Sequence, residues 1–210
     1  MLEVSGVIEH CKHYKSNLRN FMRDVYFDPP VLFAPNTNKI RYEPLGVALI
    51  FGSWNFPYYV NLKPLAQAIA TGNCAIIKPS EMSPNSSNAI KKLVEKYLDA
   101  NCYRVLLGGV DLSIQITKYP FDLICFTGST EKGKLVAEAA AKNLVPCILE
   151  LGGKCPTIVD ESGDPDFAAY KIVSSKFQNA GQACIGVDHV FVHESKYKDL
   201  KDRILHHLKV

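Results

Sequence analysis

The sequence has no run of five or more basic residues, and its net charge is only +3 over 210 residues, so a polyanionic partner such as nucleic acid is not expected. Long apolar runs are also missing. The longest, around Leu45 to Gly52, falls far short of the roughly 20 residues needed to span a bilayer. Met1 to Gly6 lack a basic segment followed by an apolar one, so no secretory signal is expected. The seven cysteines are odd in number and none sits in CxxC spacing, which argues against a disulfide framework, a zinc site or a redox motif. They read as free thiols in a reducing compartment, and a cytoplasmic setting is expected. The six histidines are scattered, none spaced with a carboxylate or cysteine as metal ligands are, so no metal is expected. Internal repeats and low-complexity stretches are absent.

What remains is an ordinary globular composition, 47% hydrophobic and 21% charged, with chain enough for one well-buried domain or one domain and part of another. Short apolar runs read as buried strands: Val47 to Phe51, Cys74 to Ile77, Arg104 to Leu107, Phe121 to Phe126 and Val145 to Leu149. Between them lie helical stretches, Leu62 to Ala70, Asn85 to Asp99 and Glu131 to Lys142, the second entered through Pro84, Asn85, Ser86 and Ser87, where Ser and Asn side chains can bond the free N–H groups of a first turn. Buried strands alternating with helices predict βαβ units and an α/β, doubly wound parallel sheet covered on both faces. Gly152 and Gly153 break this pattern. Beyond them we expect a helix from Asp164 to Ala180, a strand from Val187 to His193 and an amphipathic helix from Tyr197 to Leu208. A boundary near Gly152 gives a cofactor-binding domain over residues 1–151 and the start of a second α/β domain over 152–210.

Several short segments carry chemistry. Cys184 closes Gly181-Gln182-Ala183-Cys184, Glu150 opens Glu150-Leu151-Gly152-Gly153-Lys154, and Asn55 sits in Ser53-Trp54-Asn55-Phe56-Pro57. A thiol, a carboxylate and an amide meet the needs of a covalent route from aldehyde to acid: a nucleophile, a base for the hydrolytic water and a donor to an oxyanion. Taken singly, Cys184 reads as a small buried apolar residue and Glu150 as a solvated strand end. Phe126-Thr127-Gly128-Ser129-Thr130 ends a strand and opens a helix, with Gly133 one turn on. It is not GxGxxG, and it reads either as a phosphate-binding turn or as a tight βα turn. Lys78-Pro79-Ser80-Glu81 follows another strand, where a Lys and an acid can grip ribose hydroxyls or form a surface charge pair.

These five segments, in this order, resemble the aldehyde dehydrogenase superfamily. The likeness runs from about Met1 to His193, and Glu43-Pro44-Leu45-Gly46 with the short run from Lys78 to Phe126 is most similar to the fatty-aldehyde, class 3-like branch. The resemblance implies a Rossmann-like cofactor domain and NAD or NADP as cofactor. It implies Cys184 as nucleophile, Glu150 as general base, and the Asn55 side chain with the Cys184 N–H as oxyanion hole. Lys78 and Glu81 would hold the adenosine ribose, and Gly128, Ser129 and Gly133 would face the pyrophosphate. Cys155, where relatives usually carry a small hydroxyl residue, reads as packing.

An aliphatic or aromatic aldehyde is the expected substrate, and Glu81 beside the ribose argues for NAD by repelling a 2′-phosphate. Full-length relatives are expected to be homodimers, and any membrane-anchoring tail of the branch would lie beyond Val210. Because family segments downstream of Cys184 are missing, the chain is expected to be a central fragment. Three functions follow: NAD(P)-dependent oxidation of an aldehyde to a carboxylic acid through a cysteine thiohemiacetal and thioester; a noncatalytic nucleotide-binding or interaction module of the same ancestry; or acyl transfer to coenzyme A, which Glu150 disfavours because it suits hydrolysis.

Overall fold

The computed structural model describes residues 2–209 and divides into two compact units, Met1–Glu150 and Leu151–Val210. Met1 and Val210, which the expected domains include, lie outside the described residues. The first unit opens with α1 (Leu2–Phe21) and a small antiparallel ribbon of β1 (Val25–Phe27) and β2 (Asn38–Ile40). Asp24, just before β1, ties the ribbon down through Lys39 at 2.7 Å and Arg41 at 3.1 Å.

The main sheet then forms from β3 (Val47–Phe51), β4 (Cys74–Lys78), β5 (Tyr103–Val105), β6 (Leu123–Gly128) and β7 (Cys147–Leu151), in the order β5-β4-β3-β6-β7. β3 runs parallel to both β4 and β6, and β4 runs parallel to β5. Its connections are α2 (Tyr59–Ala70), α3 (Pro84–Tyr97), α4 (Val110–Ile116) and α5 (Thr130–Ala141). Alternation along β3 sends Ile50 to one face, with Leu65 of α2 and Ile90 and Val94 of α3, and Leu49 and Phe51 to the other, with Ile116 of α4 and Ala140 of α5. Both faces are covered, which is why β3 reads as a continuous apolar run and why the sheet is doubly wound as expected.

The second unit contains β8 (Pro156–Val159), α6 (Pro165–Lys176), β9 (His189–Val192) and α7 (Tyr197–His207). β8 and β9 pair in parallel, and Val159, Ala169, Ile172 and Leu200 form its core. Asp164 starts α6 by accepting from the Asp166 and Phe167 N–H groups, with Pro165 in the first helical position. Among the described residues, no helix is long and apolar enough to cross a membrane.

The structure corrects several expected boundaries. α6 stops at Lys176 rather than Ala180, because Asn179 and Ala180 take left-handed backbone, φ 51° and 55°. β7 starts two residues later than expected: Leu144 is left-handed at φ 55° and the Val145 N–H caps α5 by donating to Ala140 O at 3.0 Å. The entry of α3 also differs. Ser83 is its cap residue and makes no side-chain cap bond, while Ser87 Oγ donates to Ser80 O at 2.8 Å.

Candidate active site

Parallel strands bring their carboxyl ends to one edge, and most of the chemistry-bearing residues of the first unit follow those ends. Phe51, at the end of β3, is in register with Lys78 of β4 and with Phe126 of β6. Asn55 lies in the loop after β3, Glu81 just after β4, Gly128 and Ser129 at the end of β6, and Glu150 next to last in β7. From β3 the chain steps outward through β4 and β5, then returns to the opposite side of β3 with β6. This reversal is the switch point where open α/β sheets bind ligands.

Lys78 is 5% exposed, which a lone ammonium would not tolerate; its Nζ donates to Glu81 Oε2 at 2.6 Å. The same hydrogen bond holds the Glu81 carboxyl below its ordinary range. Glu81 keeps a side-chain exposure of 44%, and a carboxylate can accept several hydrogen bonds, so it retains capacity for hydroxyls while anchored to Lys78. At the end of β6, Ser129 accepts from the Lys132 N–H through Oγ at 3.3 Å and starts α5, whose first turn presents N–H groups. Gly133 is buried within that helix. A Cβ at Gly128 would come 2.6 Å from the tip of the Phe126 ring, which would have to shift to admit it.

Ser53 Oγ donates to Asn55 Oδ1 at 2.6 Å, which fixes the amide with its N–H₂ end as the donor. Beneath this loop, Asn61 is fully buried and donates through Nδ2 to Pro57 O at 2.7 Å. Glu150 is exposed. Burial first, and then the Glu150 charge, push the Cys125 thiol up to about 11, so Cys125 stays neutral and is no candidate nucleophile.

In the second unit, Cys184 is exposed on a turn closed by the Gly186 N–H to Ala183 O at 3.1 Å. The approach to it is strained. Asn179, Ala180 and Gly181 are successively left-handed, and two of the three are not glycine. Cys155, itself left-handed at φ 39°, donates its thiol to Cys184 O at 3.0 Å. Lys154 and Lys176 both pair with the Asp188 carboxylate, and the Asp188 N–H reaches Cys155 O at 3.5 Å. Lys154 is the main cause that holds the Asp188 carboxyl below its usual range. The segment 153–155 and the Cys184 turn are thus laced together. A groove of about 550 Å³ on this unit, lined by Ile158, Phe167, Lys171 and Val187 among others, does not include Cys184.

Of the residues expected from sequence, Asn55, Lys78, Glu81, Gly128, Ser129 and Glu150 follow the strand ends of one sheet, Gly133 lies inside α5, and Cys184 belongs to the other unit. Sequence reasoning missed Ser53, Cys155 and Asp188 as supports. A Ser two residues before an Asn is a recognisable local hydrogen-bonding pair. No local signal links Asp188 to Lys154.

The profile of the aldehyde dehydrogenase family matches residues 1–210. The chain is 41% identical over 198 residues to 4,4'-diaponeurosporen-aldehyde dehydrogenase of Staphylococcus aureus, covering 94% of this chain and 43% of that protein. It is 41% identical over 211 residues to the dimeric NADP-preferring aldehyde dehydrogenase of Canis lupus familiaris, covering 99% and 46%. A solved substrate-bound structure of Staphylococcus aureus AldH superposes with a TM-score of 0.94 at 40% identity, over 99% of this chain and 45% of that one. The chain therefore spans less than half the length of these relatives.

Proposed function

The chain belongs to the aldehyde dehydrogenase family, and from that premise we propose that it supplies the dinucleotide-binding sheet and the nucleophile for oxidation of an aldehyde to a carboxylic acid. The observation that carries this reading is the shared carboxyl edge of β3, β4, β6 and β7, with Asn55, the Lys78–Glu81 pair, Ser129 and Glu150 at the strand ends.

In this reading the Cys184 thiolate adds to the aldehyde carbon and forms a thiohemiacetal. Asn55, its amide oriented by Ser53, donates a hydrogen bond to the oxyanion together with the Cys184 N–H, and one such donor contributes about 3 kcal/mol. A nicotinamide dinucleotide, when bound, supplies the hydride acceptor. Glu81, anchored by Lys78, would accept hydrogen bonds from the ribose hydroxyls, and the first turn of α5 with Gly128 and Ser129 would hold the pyrophosphate. Glu150 removes a proton from the water that attacks the resulting thioester, releasing the acid and restoring the thiol.

An anionic Glu81 at the ribose disfavours a 2′-phosphate, so NAD is the preferred cofactor, with NADP accepted more weakly. The substrate class is aliphatic or aromatic aldehydes, the setting is cytoplasmic, and the working protein is a homodimer. The test is the appearance of reduced nicotinamide with a medium-chain aldehyde. Cys184→Ala is expected to give none. Glu150→Gln is expected to give one turnover's burst and then a steady rate lower by about 100-fold. Unchanged turnover in Cys184→Ala refutes the mechanism, and saturable NAD binding with no turnover reduces the protein to a nucleotide-binding module.

A further inference from the structure

β4 and β5 pair in parallel with Ala75 opposite Tyr103, Ile76 opposite Arg104 and Ile77 opposite Val105. One residue earlier on each side stand Cys74 and Cys102, facing each other at the start of the ladder, where the Ala75 N–H donates to Cys102 O at 2.9 Å. Neighbouring strands lie about 4.8 Å apart, inside the Cα separation of about 4.4–6.8 Å that a disulfide accepts, and side chains in register share a face. Both thiols are free and half-buried. Neither takes part in the site described above, since β4 carries Cys74 at its amino end and Lys78 at its carboxyl end.

We propose that Cys74 and Cys102 form an oxidisable dithiol that takes a small-molecule disulfide as its reactant and closes into a cross-strand bond between β4 and β5. One thiolate attacks oxidised glutathione, forming a mixed disulfide and releasing one glutathione. The second protein thiolate then displaces the other glutathione. The two protein sulfurs are oxidised, the two glutathione sulfurs are reduced, and the protons lost by the cysteines end on the two glutathione thiols.

The bond would clamp a vulnerable place. β5 has three residues and is an edge strand, paired on one side only, so it is among the cheapest parts of the sheet to open. Linking Cys74 to Cys102 closes the segment that contains the Lys78–Glu81 pair and α3 into a loop, and so restricts the unfolded chain. The neighbouring Cys74 thiol, aided by partial burial, raises the Cys102 thiol above its ordinary range, so exchange is best driven at mildly alkaline pH.

The test is to treat the purified protein with excess oxidised glutathione, alkylate the remaining thiols and map the digested peptides by mass spectrometry. The expected result is a peptide pair joined through Cys74 and Cys102, released by dithiothreitol, with the melting temperature raised by about 5 °C while the bond is intact. Cys74→Ser, or Cys102→Ser if the first variant folds poorly, removes both the linked pair and the temperature rise. Recovery of Cys74 and Cys102 in the wild-type digest as unmodified thiols, as two separate glutathione adducts, or joined to other cysteines overturns the proposal. None of these outcomes depends on aldehyde turnover, so they separate this inference from the proposed function.

Discussion

Gly52, immediately after β3, is where the structure gives a backbone-dictated constraint next to the candidate oxyanion donor. A Cβ placed there would lie 2.2 Å from both Nδ2 and Oδ1 of Asn61 and 2.3 Å from its Cγ. Asn61 is fully buried and cannot swing into solvent, and its Nδ2 holds Pro57 O, two residues beyond Asn55. Its Oδ1 is buried with no hydrogen-bond partner, so a displaced amide has no second contact to fall back on. Overpacking costs about 1–3 kcal/mol. The lost hydrogen bond adds about 1 kcal/mol, and the reduced freedom of the unfolded chain returns up to about 1 kcal/mol. The net expectation for Gly52→Ala is a loss of about 3 kcal/mol, a fall in melting temperature of roughly 9 °C for a chain of this size. A displacement of about 1 Å at Asn55 would also lower turnover by about 100-fold. Circular dichroism melts of Gly52→Ala, Asn61→Ala and the double variant form a cycle that isolates the clash, because Asn61→Ala makes room for the new methyl. A Gly52→Ala protein that melts within about 1 °C of wild type, or a double variant less stable than the sum of the two singles, refutes the reasoning.

Asp24 accepts hydrogen bonds from Arg41 and then Lys39, which lower its carboxyl from the ordinary 3.8 to about 2. The folded value lies below the unfolded one, so the ribbon's stabilisation is present in full above about 3.8 and is lost as pH falls through about 2. A carboxyl titration followed by NMR should place the Asp24 midpoint near the lower value, and a midpoint at 3.8 contradicts this. Lys78→Met should release Glu81 toward its ordinary range and weaken dinucleotide binding by at least about tenfold, the loss of one charge-assisted hydrogen bond that orients the carboxylate; unchanged affinity in a fluorescence titration would count against the ribose role. Ala180→Gly relieves a left-handed backbone at φ 55° and should stabilise the second unit by about 1 kcal/mol, visible as slower proteolysis before Cys184. Faster cleavage would mean that the strain is not intrinsic to residue 180.

The main sheet was legible because its central strand is buried on both faces. Val47 to Phe51 is an unbroken apolar run, and its bounds agree with the observed β3. Boundaries failed where a residue serves two elements: Val145 looks like strand, yet its N–H is spent on the end of α5. No reading was available for α1, whose exposed residues mix Val4, Ile8 and Phe21 with polar ones and whose support is tertiary. The Glu3 carboxylate accepts from the Tyr58 and Tyr59 N–H groups at the start of α2, and His10 meets Tyr59 Oη at 2.9 Å. The short β1–β2 ribbon is similar, since its strands of three exposed or half-buried residues carry no periodicity and are held by Asp24 from outside the pattern. α4, seven residues long, is too short to sustain a helical pattern.

The candidate site divides along the same line. Lys78 and Glu81 were readable because an i, i+3 pair after a strand is a local arrangement, and Ser129 because a hydroxyl at a strand-to-helix turn is a local cap. The conformation around Cys184 could not be read, since its causes are non-local. Of the four left-handed residues that are not glycine among the described residues, Cys155, Asn179 and Ala180 all lie in the second unit, next to the Cys184 turn or in contact with it, and such residues cost on the order of 1–3 kcal/mol each. Such a backbone persists only if its surroundings over-determine it. Here they do: the Cys155 thiol bonds Cys184 O, the Asp188 N–H approaches Cys155 O, and Asp188 gathers Lys154 from one side of the crossing and Lys176 from the other. Strain held this way costs stability without adding to the core, which is the expected signature of a segment shaped to present one side chain. In the proposed mechanism that side chain is Cys184.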